Sequence, residues 1–206
     1  MRVLSPDDNG IAQALTILRQ GGVVAHATET CYGFACDLSN KDAVQKLFSI
    51  KNRPADQPVS GLFENIEHAQ EFVEWNARAE ELANEHLPGP LTLILPLKKN
   101  PPFFLYPTPR GGNSLGIRIS SYPLAETIVK LFGKPITTTS ANLHGKENPY
   151  SAEDILTQYK EAAVQPDVIL DSGVLPKNPP STVINLVSPD EQIHRKGSVK
   201  PSKQTL

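Results

Sequence analysis

The sequence predicts one α/β domain with a mixed, twisted sheet flanked by helices, and three observations carry that reading. Apolar segments of strand length alternate along the chain with segments whose apolar residues recur at helical spacing. No internal repeat and no linker of changed composition interrupts the alternation. At 206 residues the chain fits one sizeable domain, long enough to bury roughly 70% of the surface its unfolded form would expose.

Ser5, Pro6 and Asp8 mark a helix start, with Ser5 as N-cap and Pro6 at the first helical position. Ile11, Ala14, Leu15 and Leu18 then form one apolar face, which Gly21 and Gly22 end. GVVAHATE (22–29) and CYGFACDL (31–38) read as strands separated by a polar knuckle, and residues 41–50 as a helix burying Val44, Leu47 and Phe48, closed by Pro54 and Pro58. VSGLF (59–63) predicts a strand, 66–73 and 76–86 predict helices, and LPGP (87–90) turns the chain into LTLILPL (91–97). That run is so apolar that it belongs in the middle of a sheet. Residues 98–113, rich in Pro and Gly, read as an irregular loop able to cover a site. SLGIRIS (114–120) is a strand and 123–132 a helix. KPITTTS (134–140) is a strand ending in hydroxyls, before the chain turns through Gly145 and Pro149. In open α/β sheets ligands collect at the carboxyl ends of strands, so that tip is a candidate site. A helix near 152–160 precedes three short strands at 167–171, 181–187 and 191–197. The domain thus spans 1–197, and residues 198–206 form a polar tail that frays.

Composition excludes several classes. With 20 Lys and Arg against 22 Asp and Glu the formal net charge is −2, whereas a dedicated nucleic-acid binder carries a basic face, so tight, nonspecific RNA binding is not expected. Cys31 and Cys36 are spaced C-x4-C, which fits neither a zinc pattern nor a redox pair, and reads as two reduced, buried thiols. No apolar run approaches the ~20 residues of a membrane span and the N-terminus carries acids in place of a signal-peptide core, so the expected location is cytoplasmic. Neither Gly-x-Gly-x-x-Gly nor a P-loop is present, nor is a Gly-x-Ser-x-Gly elbow around Ser140. The five histidines show no metal-ligand spacing.

Five segments carry chemistry. In KNRP (51–54), Lys51 and Arg53 sit where a helix gives way to loop; cations suit a helix C-terminus on dipole grounds, and an Arg fork beside a Lys point charge equally suits a polyphosphate. HATETCYG (26–33) sets Thr28, Glu29 and Thr30 within strand-like sequence, and Gly33 there signals a close backbone approach. Arg118, on an alternating strand among Leu115, Ile117 and Ile119, is either an exposed-face residue or the carboxylate anchor of a pocket. Ser181 opens STV (181–183), and HRKG (194–197) supplies Arg195. Hydroxyls and cations recur beside strand termini without an acid pair or a nucleophile and base. Such a set suits the holding and polarising of anions, catalysis by positioning and electrostatic stabilisation.

The ordered segments ATETCYG, KNRP, GPLT, SLGIRIS, TTTSAN, STV and HRKG, over about residues 10–197, resemble the YrdC-like family of threonylcarbamoyl-AMP synthases. The resemblance implies a short, single-domain form with a deep cleft. It further implies that L-threonine, bicarbonate and ATP, accompanied by Mg²⁺, give threonylcarbamoyl-adenylate and pyrophosphate. The product would pass to a tRNA threonylcarbamoyl transferase complex that modifies tRNA beside the anticodon. Lys51 and Arg53 would contact the phosphates and act in catalysis. Ser114, Ser140, Asn142, Ser151 and Arg195 would complete the ATP site, and Thr28, Arg118, Thr138 and Ser181 would hold threonine, with no protein ligand to metal. The chain departs from the family pattern at Ala27, Cys31, Gln57, Leu62 and Tyr122, which bears on substrate contacts more than on the fold. The alternatives are an RNA-binding module of the same fold, or a related carbamoyl-adenylate enzyme that does not use threonine.

Overall fold

The computed structural model describes residues 1–201 apart from 109, 111 and 189. Along the chain lie β1 (Arg2–Leu4), α1 (Asp8–Arg19), β2 (Val24–Ala27), β3 (Tyr32–Ala35), α2 (Lys41–Lys51), β4 (Ser60–Leu62), α3 (Ile66–Gln70) and α4 (Ala77–His86). β5 (Leu91–Pro96), β6 (Ser114–Arg118), α5 (Pro123–Phe132), β7 (Ile136–Ser140), α6 (Ala152–Tyr159), β8 (Val168–Leu170), β9 (Thr182–Asn185) and β10 (Gln192–Arg195) follow. The strands join one mixed sheet in the order β1-β8-β2-β3-β7-β4-β6-β5-β9-β10. β5 lies between β6, antiparallel to it, and β9, parallel to it, the interior position its apolar sequence predicts.

Strand alternation divides the core into two layers. On one face Ala25, Phe34, Leu93, Leu115, Ile117 and Ile184 pack with residues of α2, α4 and α6. On the other, Val24, Ala35, Leu62, Ile136, Val168 and Leu170 pack with Leu15 and Leu18 of α1 and Ile128 and Val129 of α5. Those two helices serve the half of the sheet around β8, β2 and β3. The same face of the β4-β6-β5-β9 half carries small and polar residues at the corresponding positions, and the cavity described below opens there.

Gly61 shows how tightly the first layer is filled. A Cβ on it would lie 2.8 Å from Phe63 Cε2 and 2.9 Å from Leu38 Cδ2, both fully buried. Gly61→Ala is therefore expected to destabilise the domain by about 1–3 kcal/mol through overpacking, read as a lower urea midpoint at unchanged slope.

Several local expectations are corrected. The first helix is capped by Asp7, whose carboxylate accepts from Gly10 N at 2.8 Å, in place of Ser5. Ser5 and Pro6 lie outside the helix, with the Ser5 carbonyl pressed against Gly10 where no Cβ would fit. β1 has no counterpart in the sequence reading: three residues at a sheet edge, largely exposed, carry no periodic signal. Part of the expected tail is tied down, since Ser198 N donates to Pro180 O and Val199 O accepts from Thr182 Oγ1 at 2.7 Å; residues 202–206 of it lie outside the described residues. Both cysteines are buried free thiols. No helix among the described residues is long and apolar enough to cross a membrane.

Candidate active site

The alternation that sends Leu115 and Ile117 into the core turns Ser114, Gly116 and Arg118 to the opposite face. β5 does the same with Thr92 and Ile94, the β9 segment with Ser181 and Val183, and β4 with Ser60, so four adjacent strands floor a cavity of about 260 Å³. Gly116 keeps this floor open: a side chain there would collide with Ser60 Oγ and crowd Thr92 Cγ2. The hydroxyl-bearing tip of β7 stands on the cavity, which also extends over the sheet face along the length of β6, where α1 and α5 leave that face uncovered.

The walls come from β3, β7 and the turn between β2 and β3. Ala27 pairs with Tyr32, so residues 28–31 form the polar knuckle as a four-residue hairpin loop. Thr28 Oγ1 donates to Cys31 O at 2.7 Å and accepts from the Thr30 and Cys31 amides, which locks the loop. The Thr30 hydroxyl lies 3.0 Å from that of Thr28. β7 brings Thr138 and Ser140 beside the knuckle by pairing with β3. Gly33 permits this: a Cβ there would lie 3.3 Å from Thr139 O, the close approach its sequence position signals.

Three guanidiniums face the cavity. Arg118, 7% exposed, donates from Nη2 to Glu29 Oε1 at 2.8 Å and to Thr30 Oγ1 at 3.0 Å, while its buried Nε has no hydrogen-bond partner among the described residues. Arg195 donates to Ser181 O at 2.9 Å and to Ser181 Oγ at 2.7 Å, and Ser181 Oγ lies 3.1 Å from Thr92 Oγ1. Arg53 donates from Nη2 to Pro58 O at 2.6 Å, and its Nε is likewise buried without a partner among the described residues. Burial lowers the pKa of Arg53, and burial followed by the charge of Arg118 lowers that of Arg195, so these cations gain from an arriving anion. No described lining residue is Asp or Glu.

Eight of the eleven residues singled out in the sequence, Thr28, Arg53, Ser114, Arg118, Thr138, Ser140, Ser181 and Arg195, stand on this cavity. Three do not line it. Lys51, 2% exposed at the end of α2, donates from Nζ to Ser140 O, to Asn142 O at 2.8 Å and to Asn142 Oδ1 at 3.2 Å. Burial, then the neighbouring Arg53 charge, lowers its pKa to about 7. Asn142 also accepts from Ser140 Oγ at 2.6 Å and donates to Lys146 O at 2.6 Å, so Lys51 and Asn142 together shape the loop behind the wall. Ser151 is the N-cap of α6, its Oγ accepting from Asp154 N at 3.1 Å in a capping box.

The sequence reading missed Ser60, Thr92 and Cys31 as lining residues. A polar residue inside an otherwise apolar strand was the signal available for Thr92. No described residue of 98–113 lines the cavity; Pro180 and Ser181, from the segment after β8, do. Of the departures from the family pattern, Leu62 is fully buried under α1 and α5, and Tyr122 is the N-cap of α5. Only Cys31 among them is on the cavity wall among the described residues, and burial raises its pKa. Among the described residues no three His, Cys, Asp or Glu side chains gather as a metal site, and the wall's hydroxyls and guanidiniums suit anions rather than a bare divalent cation.

The model of the Sua5/YciO/YrdC family, described as "Telomere recombination", matches residues 16–197. The chain belongs to this family. A threonylcarbamoyl-AMP synthase of Bacillus subtilis is 39% identical over 154 residues, 74% of this chain and 44% of that protein. The chain thus spans less than half the length of that relative. Among solved Sua5/YciO/YrdC structures, P. abyssi Sua5 complexed with L-threonine matches at a TM-score of 0.82 and 30% identity, covering 95% of this chain and 56% of that one. E. coli YciO matches at 0.80 and 27% identity, covering 95% and 94%.

Proposed function

We propose that this chain is a threonylcarbamoyl-AMP synthase, joining L-threonine, bicarbonate and ATP into threonylcarbamoyl-adenylate and pyrophosphate. The observation that carries the reading is a single cavity faced by three guanidiniums, two with a buried nitrogen lacking a partner among the described residues, ringed by hydroxyls and with no carboxylate among its described lining residues. Such a wall fits a carboxylate beside a triphosphate.

In this reading Arg118 takes the threonine carboxylate, with Thr28, Thr138 and Ser181 around the amino acid. Arg53 and Arg195 take phosphate oxygens, Ser114 and Ser140 the nucleotide, and Ser151 offers the hydroxyl hydrogen its cap leaves free. Lys51 and Asn142 serve the nucleotide through the loop that carries Ser140. The threonine amine and bicarbonate give a carbamate with loss of water; a carbamate oxygen attacks the α-phosphorus and pyrophosphate leaves. Charge grows on phosphoryl oxygens, which fixed cations stabilise without a protein nucleophile. Mg²⁺ enters with the ATP as part of the substrate. The adenylate would pass to a tRNA threonylcarbamoyl transferase complex in the cytoplasm, without tight tRNA binding by this chain, whose net charge is −2.

Turnover of ATP with threonine and bicarbonate omitted in turn tests the reading. The expected result is pyrophosphate release and an adenylate of the mass of threonylcarbamoyl-AMP only when both are present. Release that ignores threonine would replace this reading with a carbamoyl-adenylate enzyme of another acceptor.

A further inference from the structure

Behind the cavity wall lies a chain of hydrogen bonds that no step above uses. Glu29 is not among the lining residues, yet its carboxylate is bound on both oxygens: Oε1 by Arg118 Nη2 at 2.8 Å and Oε2 by the hydroxyl of Ser120. The pair is well shielded, with side-chain exposures of 8% for Arg118 and 15% for Glu29. Both hydrogens of Arg118 Nη2 are thereby committed, one to Glu29 and one to Thr30 Oγ1, which lies 3.0 Å from Thr28 Oγ1. The backbone of Glu29 is also held, its carbonyl accepting from Asn178 Nδ2 at 2.9 Å. A long, flexible cation is thus fixed at one nitrogen from behind, and Nε remains as a buried donor without a partner among the described residues.

We infer that Glu29, with Ser120 bracing it, is a positioning residue that aims Arg118 at the amino-acid carboxylate, so that it controls affinity for the amino acid and not for ATP. The inference rests on the assignment of Arg118 proposed above. An arginine side chain released from such a clamp recovers its rotameric freedom, and a fork that must be re-ordered at each binding event binds more weakly. The opposite effect is equally definite: were Glu29 a competitor for the guanidinium, removing its charge would tighten carboxylate binding.

Glu29→Gln keeps the side-chain size and an oxygen for Arg118 but loses the charge. The expected result is a rise of about 10- to 100-fold in the Kd and KM for L-threonine with the KM for ATP changed little, while the thermal midpoint falls because the shielded guanidinium loses its counter-charge. Ser120→Ala should give a smaller rise of the same kind, and Glu29→Asp, too short to reach both partners, should recover only part of the wild-type affinity. Nitrogen-15 NMR of the arginine side chains reads the clamp without any substrate. Separate, slowly exchanging Arg118 Nη signals are expected in the unsubstituted chain and their collapse in Glu29→Gln. Tighter threonine binding by Glu29→Gln, or unaltered Arg118 signals, overturns the inference. An unsubstituted chain that binds no threonine while its Arg118 signals respond to Glu29→Gln overturns the substrate assignment instead.

Discussion

Lys51→Ala is expected to lower kcat/KM for pyrophosphate release by about 10³-fold or more and to destabilise the fold by about 1–3 kcal/mol, two losses with one cause. The ammonium is the shared donor for Ser140 O, Asn142 O and Asn142 Oδ1, so its removal takes a donor from two backbone carbonyls, leaves Asn142 Oδ1 with the Ser140 hydroxyl, and frees the loop. Arg53→Ala makes the informative contrast, because Arg53 donates to the Pro58 carbonyl from a side chain that is only partly buried. It should cost turnover comparably with the thermal midpoint nearly unchanged. Acidity separates the two roles of Lys51 further. With a folded pKa of about 7 against the ordinary 10.5, the unfolded chain binds the extra proton between those values, so this residue's burial cost shrinks as pH rises through that window. Activity runs the other way, since a neutral amine donates fewer hydrogens to the loop and no charge to the site. kcat/KM for ATP should fall above about pH 7, whereas kcat should hold to higher pH because bound triphosphate stabilises the ammonium. Lys51→Met should abolish both trends in pH. Wild-type turnover by Lys51→Ala would remove the ammonium from the mechanism.

How legible this was in the sequence differs by the range of the interaction. The apolar run at 91–96, the period-two strand at 114–118 and the helix at 123–132 could be read directly, because burial writes itself into consecutive residues. The same periodicity bears on Arg118: it shares a face with Ser114 and Gly116, and whether that face is open or covered is decided by which helices stop short of it. That is tertiary information, absent from any window of sequence. The position of Lys51 beneath the wall is of the same kind, since its partners lie about ninety residues away. Glu29 stood in plain view within HATETCYG, yet its partner Ser120 follows Arg118 by two residues on a strand end, and only the fold brings the two segments together. β1 escaped for the opposite reason, being too short and too exposed to carry a pattern.

Arg118→Ala is expected to raise the KM for L-threonine by about 10²- to 10³-fold while leaving the KM for ATP within a few-fold. It should also cost about 3–5 kcal/mol of stability, because Glu29 would remain as a shielded carboxylate without its cation. Arg118→Lys should rescue little, since a single ammonium cannot serve Glu29, Thr30 and an incoming carboxylate in the fixed directions of a guanidinium. The stability loss and the binding loss are separable by a double variant. In Glu29→Gln with Arg118→Met the buried pair is removed together, so the thermal midpoint should recover most of its fall, yet threonine affinity should stay at the level of Arg118→Ala. Calorimetric titration with threonine beside thermal unfolding measures both quantities on the same samples. Recovery of threonine affinity in the double variant would mean that Arg118 served only to neutralise Glu29. A larger effect of Arg118→Ala on ATP than on threonine would reassign the guanidinium to the triphosphate, and with it the direction in which the two substrates lie across the sheet face.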